Sequence, residues 1–534
     1  MKMNRSESKR GLQFSLCRKG RMWPILVLFL GPFASILTAQ NTNQASLSQQ
    51  IQKLTDAIAI TQAQLEQSQH QISEMQRQLE ALQQQVAQSR SKETIPTTSG
   101  SASSDDAIQS QRAAGTSQIQ EIRDQQTMLE SQIATQEQTK IESESKYPVK
   151  ITGLLLFNGF VNTRAVDMEA TPTLAVRGSG STGASVRQTV LGFDAEGPHL
   201  FGARSYADLR VDFDGAPQSN VDTSSYSGPY SANAAMLRLR TAHAGLEWEH
   251  TNAYFSLDRP IFNPDTPTSL TAVAEPALAW SGNLWTWNPQ LGLRHDIPLS
   301  SSRDLQLGGS LIDVGDAPLS PTSTYSGAAP ATPPSTAEQS RWPGVEARVA
   351  LVGSGSREEN GDHFGLGGYF APHHVQTNQE FDSWAATADA GLLLPARLEL
   401  TGSVYRGLAL GGLGGGAYKD FGYVADPDGG ARYLAALDDA GGWVQLKERI
   451  SNRIELNGAF GMDNAFAGEV RQISAPGGTI YQNLSRNQTF TGNVIYKPSL
   501  YLLFSLEYRH LESYPVFNSS TGSNVIGLGA GFKF

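Results

Sequence analysis

The last residues of the chain, Asn524–Phe534, read NVIGLGAGFKF. Large apolar residues alternate with small or charged ones. One face would carry Ile526, Leu528, Ala530, Phe532 and Phe534, and the other Gly527, Gly529, Gly531 and Lys533. Successive side chains of a β-strand point to opposite faces, so this alternation predicts a strand with one apolar face.

The same alternation extends back to about Val149. Glu507 lies between apolar Leu506 and Tyr508, and Arg210 lies between Leu209 and Val211. We predict about sixteen strands, each of roughly ten residues. They would begin near Lys150, Val186, Ala203, Met236, Asn252, Gln290, Asp304, Val345, His363, Ser383, Ala396, Trp443, Arg453, Thr489, Leu500 and Asn524.

Residues 1–39 are predicted to be a secretion signal peptide. A segment with seven Lys and Arg residues leads into the apolar run Trp23–Leu37, and a cleavage site is expected after Ala39. The run is interrupted by Pro24 and Pro32 and is short for a spanning helix, so an uncleaved anchor is the alternative. The chain has no later apolar stretch long enough for a spanning helix. Membrane residence would therefore require a closed barrel.

Composition narrows the possible functions. Charged residues make up 17% of the chain, and its 52 glycines suit many short strands better than helical layers. No run rich in Lys or Arg follows the leader, so nucleic acid is not a predicted partner. The only cysteine, Cys17, precedes the apolar run, so the mature chain would need no disulfide. We predict no catalytic, metal or cofactor site.

Residues 40–146 are predicted to form an α-helical coiled coil in the periplasm. Apolar residues alternate at spacings of three and four, which is the seam of a left-handed coiled coil. Two polar residues, Thr61 and Ser68, also lie on this seam, so it does not fix the number of helices; an amphipathic helix packed on its own domain is the alternative. The segment 91–106 is rich in Ser and Thr and is predicted to be a flexible break. The seam consists of Ile51, Leu54, Ile58, Leu65, Ile72, Met75, Leu79, Leu82 and Val86.

Alternating strands suit either a soluble sandwich or a transmembrane barrel. The signal peptide and the terminal aromatic residue Phe534, which would be recognised by the barrel-assembly machinery, favour the barrel. So do aromatic residues at segment ends, where interfacial girdles need them. These are Trp248, Tyr254, Trp443, Tyr496 and Tyr501. We predict an all-β transmembrane antiparallel barrel over residues 147–534.

A barrel of sixteen strands leaves an open lumen. The long connections are predicted to be mainly extracellular, and at least one should fold into the lumen and set its width. The best candidate is 263–288, which contains Asp265, Glu275 and three tryptophans. The long connections are 214–233, 263–288, 315–342, 408–440 and 464–487.

Three short runs give the chain a resemblance to the DcaP-type family of trimeric outer-membrane channels. They are Arg187–Phe193 (RQTVLGF), Leu237–His243 (LRLRTAH) and Asn288–Arg294 (NPQLGLR). The order of leader, coiled coil, linker and barrel is also similar to that family. The chain departs from it at Leu257–Pro260, where the family usually has a Gly-Gln-Thr-like turn.

The resemblance implies a homotrimer that passes small dicarboxylates and related anions. On the matching positions, it implies that Arg187, Arg238, Arg240 and Arg294 contact the solute. Alternation adds Arg204 and Arg210 as lumen-facing residues. Closely spaced guanidinium groups on a lumen wall would favour the passage of carboxylates. The alternative is that each arginine pairs with a lumen acid such as Asp208 or Asp212.

The predicted function is a porin, a passive diffusion channel for small hydrophilic solutes, in the outer membrane of a Gram-negative-type bacterium. A structural alternative is that the barrel anchors the coiled coil to peptidoglycan or to a periplasmic partner. A barrel receptor or enzyme is a third interpretation. A deletion of residues 40–146 that spares conductance but frees the protein from the cell wall would identify tethering as the role of that segment.

Overall fold

The computed structural model describes residues 149–215, 236–319, 334–353, 362–375, 379–425, 430 and 432–534. The predicted signal peptide and coiled coil, with its nine seam residues, lie outside the described residues. Within them, the chain forms strands with three short helices at their connections, α1 (Thr336–Ser340), α2 (Ala467–Ile473) and α3 (Ile480–Asn483). No helix among the described residues is long and apolar enough to cross a membrane.

The described strands are β1 (Val149–Val166), β2 (Ala175–Ser185), β3 (Val190–Leu200), β4 (Ala203–Gly215), β5 (Met236–Glu247), β6 (Thr251–Asp258), β7 (Asn288–Ser300), β8 (Arg303–Ile312), β9 (Gly344–Gly353), β10 (His363–Val375), β11 (Gln379–Leu394), β12 (Leu398–Leu408), β13 (Phe421–Val424), β14 (Tyr433–Ala436), β15 (Asp438–Arg449), β16 (Ile454–Ala465), β17 (Leu484–Tyr496), β18 (Leu502–Pro515) and β19 (Thr521–Lys533). All except the β13–β14 hairpin belong to one antiparallel sheet.

The sheet is a closed barrel of sixteen spanning strands, as predicted. β2 and β3 pair with successive parts of β1, with Ser185 opposite Asn158 and Val190 opposite Leu154, so together they form one interrupted strand. The barrel closes between β1 and β19. The final residue completes this seam, because the Phe534 and Gly153 amides donate to each other's carbonyls at 3.0 and 2.9 Å.

Three strand starts were predicted wrongly. The strands expected near Trp443 and Thr489 begin at Asp438 and Leu484, and the strand expected near Val186 begins at Ala175. The first part of this strand, RGSGSTGAS, has small or polar residues on both faces, so it gives no period-two apolar signal. The break between its parts falls at residues 186–189 and overlaps the start of the RQTVLGF run.

The barrel has apolar side chains outside and polar ones inside. On β18, Leu506 and Tyr508 are exposed on the outer surface, whereas Glu507 and Arg509 are buried on the lumen side. Such a distribution is that of a transmembrane barrel, in which lipid contacts the outer face.

The predicted girdle is partly correct. Tyr496 and Tyr501 are exposed next to the turn between β17 and β18. Trp443 is instead buried on the lumen side. Tyr254 is in register with Gly245 and Gly292, and its ring lies over Gly292 within the barrel. These two residues sit on inward positions because strand parity, and not closeness to a strand end, decides which face a side chain takes.

The two ends of the barrel differ. One end, called here the turn end, carries the first residue of β1, Phe534 and short connections such as Pro395–Arg397 between β11 and β12. The other end, called the loop end, carries the long connections with α1–α3 and the β13–β14 hairpin.

Candidate functional site

The connection between β6 and β7, residues 259–287, lies inside the barrel and is called here the inserted segment. It crosses the lumen, because it is bonded to strands on opposite sides of the barrel. Asn158 on β1 donates to the Leu270 carbonyl at 3.0 Å, and the Thr387 hydroxyl on β11 donates to the Phe262 carbonyl at 2.7 Å. The structure therefore places the segment predicted to constrict the lumen within it.

Inward-facing glycines make room for this segment. A Cβ atom added at Gly367 on β10 would lie 2.5 Å from the Cβ of Phe262, and one at Gly527 on β19 would lie 3.0 Å from the Thr271 hydroxyl oxygen. The glycine face of β19 thus allows the backbone and small side chains of the inserted segment to lie directly on the wall.

Gln188 fastens the inserted segment at the break between β2 and β3. Its side chain is fully buried. Its carbonyl oxygen accepts from the amides of Val273 and Ala274 at 2.7 and 3.1 Å, and its amide donates to the Thr271 carbonyl at 3.1 Å. The interruption of the strand turns this side chain inward, where it satisfies three backbone groups that burial would otherwise leave unpaired.

The lumen side of β9–β19, called here the covered wall, lies largely beneath the inserted segment and other loop residues. Glu507 on β18 and Arg509 pair at 2.5 Å with side-chain exposures of 1% and 7%. The inserted segment bonds to both, since Ser269 donates to Glu507 at 2.6 Å and Arg509 donates to the Thr271 hydroxyl at 2.8 Å. These buried ionic side chains hold the inserted segment on the wall.

A second buried cluster on the covered wall has metal-ligating residue types. Asp265 of the inserted segment lies 2.8 Å from His363, and Asp389 lies 3.6 Å from the same ring nitrogen. Arg348 donates to both oxygens of Asp389. Its fixed cation would repel a metal ion there, so the residues fit an ion-pair network that attaches the segment to β9–β11 better than they fit a metal centre.

The lumen side of β3–β7, called here the open wall, keeps its ionic side chains accessible. Arg204 and Arg294 are each nearly half exposed. Arg204 lies 3.3 Å from Glu196 and also pairs with Glu247, while Arg294 is 3.8 Å from Asp296. These partners are surface-like ion pairs in a solvent-accessible lumen.

The other predicted arginines also have acidic partners. Arg210 lies 2.5 Å from Asp194, and Arg187 lies 3.4 Å from Asp214 while donating to the Gly215 carbonyl at 3.0 Å. The structure therefore brings all six predicted arginines to the first half of the barrel, each within reach of a carboxylate. A simple ladder of unopposed cations is absent from the described residues.

On the open wall, positive charge is in excess where the wall faces the inserted segment, a place called here the waist. Asp212 accepts from Arg238 at 3.0 and 2.7 Å and is 3.7 Å from Arg240, so two cations share one anion. Trp287 stacks on both guanidinium groups, at 5.1 and 4.9 Å from its ring centre. A cavity of about 270 Å³ opens beside them, and its lining includes Arg240, Arg259, Trp285, Trp287 and residues 266–269.

A β-bulge positions Arg240. Along β4 and β5, Arg210 is opposite Thr241 but the next residue, Val211, is opposite Leu239, so Arg240 is the extra residue. A bulge re-aims a side chain and changes the parity of the strand. The family resemblance implied Arg240 as a solute-contacting residue but not this bulge, which requires knowledge of the register with β4.

Glu275 of the inserted segment is an ionisable residue for which no role was predicted from the sequence. Burial, together with nearby Asp167 and Asp214, raises its pKa to about 8, and Arg238 opposes this shift. One of its carboxyl oxygens is buried without a hydrogen-bond partner. The side chain therefore remains neutral until the pH is mildly alkaline.

No protein-family model and no curated protein sequence matches the chain. Among solved structures, the outer-membrane channel DcaP of Acinetobacter baumannii is similar over 73% of this chain and 99% of its own, with a TM-score of 0.52 and 15% identity. An anion-selective porin from Comamonas acidovorans is similar over 73% and 100%, with a TM-score of 0.41 and 11% identity. OprB of Pseudomonas putida is similar over 72% and 94%, with a TM-score of 0.42 and 11% identity. The first likeness shows that this chain shares the DcaP barrel fold, as the sequence resemblance predicted.

Proposed function

We propose that this chain is a porin, a passive diffusion channel for small hydrophilic solutes in the outer membrane of a Gram-negative-type bacterium. One observation carries the proposal: the inserted segment covers one side of the lumen and leaves the charged open wall accessible. Polar side chains along such a wall replace part of the hydration of a passing solute. The long connections would then be extracellular and the turn end periplasmic.

We further propose that the waist favours anions such as dicarboxylates. Arg238 and Arg240 share Asp212, and Arg259 adds a third guanidinium beside the 270 Å³ cavity. A carboxylate in this cavity meets planar donors at a place where positive charge exceeds negative. Elsewhere on the open wall, each predicted arginine is balanced by its own acid, so selectivity would come from the waist.

Planar bilayer recordings test both parts. The purified protein should give stable, stepwise ohmic conductance, and in a KCl gradient its reversal potential should favour anions. The double variant Arg240→Gln/Arg259→Gln should keep the steps but lose most of the anion preference. Arg204→Gln, at an arginine flanked by two glutamates near the turn end, is the matched control and should change it little. Membranes without steps contradict the channel, and an unchanged preference in the double variant contradicts the waist.

The proposed assembly is a homotrimer, held by the coiled coil and by barrel contacts, with Phe534 as the signal for the barrel-assembly machinery. The heptad seam needs at least one partner helix, and the resemblance supplies the number three. Chemical cross-linking of native membranes should give a trimer band. Bands that stop at the monomer or dimer would contradict this arrangement.

A further inference from the structure

A second cluster of cations lies at the turn end, away from the waist. The turns after β11, β15 and β17 surround a cavity of about 560 Å³. Its ionic lining consists of Arg397, Arg449, Arg453, Lys497, Glu399 and Glu455. The lining therefore has four cations, two anions and two positive charges in excess.

The two acids hold two of the cationic lining side chains in place. Glu399 is almost fully buried and lies 3.4 Å from Arg449 and 3.7 Å from Lys447. Glu455 lies 3.4 Å from Lys497 and accepts from the Asn457 amide at 3.0 Å. Because the buried carboxylates fix Arg449 and Lys497, these cations are held in place beside the cavity before any ligand binds.

The backbone of the first turn adds an independent observation. Ala396 and Arg397 have φ angles of 63° and 61°, a left-handed conformation that costs energy for residues other than glycine. Two such residues in succession bring Arg397 over the cavity. Strained turns that persist in a structure often serve a site.

We propose that this turn-end cavity binds a doubly charged oxyanion of the phosphate type. A dianion would neutralise the two excess charges, and guanidinium groups match the geometry of phosphate oxygens. Most of the lining side chains are at inward positions on their strands, so the bound group would lie at the lumen mouth. The inference needs only the barrel and not the transport proposal.

Calorimetric titration of the full-length protein with inorganic phosphate tests the site. The protein is kept in zwitterionic detergent at pH 8, where phosphate is mainly a dianion, and chloride holds the ionic strength constant. Saturable binding is expected, and Arg397→Asn should weaken it about tenfold, the loss of one charge-assisted hydrogen bond. Asparagine tolerates the positive φ, so the turn should keep its shape.

Two controls separate this site from others. Arg303→Gln removes a turn-end arginine that does not line the cavity, and Arg240→Gln/Arg259→Gln removes the waist cations; both should leave phosphate binding unchanged. The proposal is overturned if binding is not saturable, if Arg397→Asn binds equally well, or if the waist variant abolishes binding. If the waist variant loses its anion preference but binds phosphate as before, the waist and the turn-end cavity are two independent sites.

A lipid headgroup could supply the same phosphate chemistry. The titration is therefore repeated in vesicles of phosphatidylcholine alone and with added phosphatidylglycerol. If the anionic lipid competes with free phosphate, the occupant of the site is a headgroup. If phosphate binds equally in both vesicles, the occupant is a soluble anion at the channel mouth. Loss of saturable binding in both vesicles overturns the proposal.

Discussion

The open wall and the covered wall carry the same residue types and use them differently. On the open wall, Arg210 and Asp194 form a pair whose side chains are each about one third exposed. On the covered wall, Arg348 and Asp389 form a pair whose side chains are 9% and 0% exposed. Water screens the attraction between Arg210 and Asp194. In the buried pair, each charged group has lost its water and is stabilised mainly by the other. Position relative to the inserted segment, and not residue identity, therefore decides whether an arginine stays accessible from the lumen or is buried in an ion pair that holds the structure together.

The largest expected effect is on stability, and it is measured by replacing one acidic residue on each wall in separate variants. Asp389→Asn leaves the Arg348 guanidinium buried without an anion and should lower the free energy of unfolding by about 3–5 kcal/mol. Asp194→Asn, the matched variant on the open wall, should cost less than about 1 kcal/mol. Urea unfolding from lipid vesicles, followed by tryptophan fluorescence, measures both. Equal losses would show that the walls do not differ in hydration.

Removal of the inserted segment should turn the covered wall into a second open wall. Replacing residues 262–284 by a short Gly-Ser linker should raise single-channel conductance severalfold, because the segment occupies much of the lumen cross-section. The far-ultraviolet circular dichroism spectrum checks that the strands remain. A conductance equal to that of the unaltered protein would place the narrowest point elsewhere.

A smaller effect is expected at the junction of the two walls. Trp287→Leu removes the ring that stacks on Arg238 and Arg240, so both guanidinium groups gain freedom and point less consistently into the waist. Anion preference should fall by less than it does in the Arg240→Gln/Arg259→Gln variant. Trp342→Leu, at an exposed tryptophan beside α1, is the control and should leave the reversal potential unchanged.

The smallest effect is a pH dependence of the same preference. Because the pKa of Glu275 is raised to about 8, the carboxyl is neutral below that pH and becomes an anion near Arg238 above it. Anion preference should therefore decline as the pH rises through about 8, and Glu275→Gln should remove the decline. The raised pKa also means that folding opposes ionisation, at a cost that grows from the ordinary glutamate pKa of 4.5 up to about pH 8 and is constant above it, so this variant should be the more stable protein at neutral and alkaline pH. Reversal potentials between pH 6 and 9 test the prediction.

The strand count and the outer face were predictable because most spanning strands carry their own alternation. The Ala175–Ser185 strand was missed because a run of small and polar residues has no apolar face. Arg238 and Arg240 were implied by the family resemblance and not by this local signal. Trp443 was expected in the girdle because it lies near a strand end, whereas strand parity places it on the lumen side.

Contacts that join distant parts of the chain could not be predicted. The pairing of Arg238 with Asp212 depends on a register that a bulge shifts by one residue. Gln188 lies in the RQTVLGF run, and its polar side chain at a strand break was the only local sign that it has a role. Its partners could not be found from the sequence, because they are 83–86 residues away. The cations at the turn end are spread over three connections and come together only when the barrel is formed.

The fastening of the inserted segment has a consequence for the order of assembly. Leu270 is held by a residue 112 positions earlier in the chain, and Ser269 by one 238 positions later. The first strand of the barrel and the strand before the last must therefore both be formed before the segment can bind to the wall. Steps that depend on such long-range contacts are slow. In an assembly intermediate whose barrel has not yet closed, the inserted segment would be unattached and accessible to proteases. The width of the pore would then be set only in the last step of assembly.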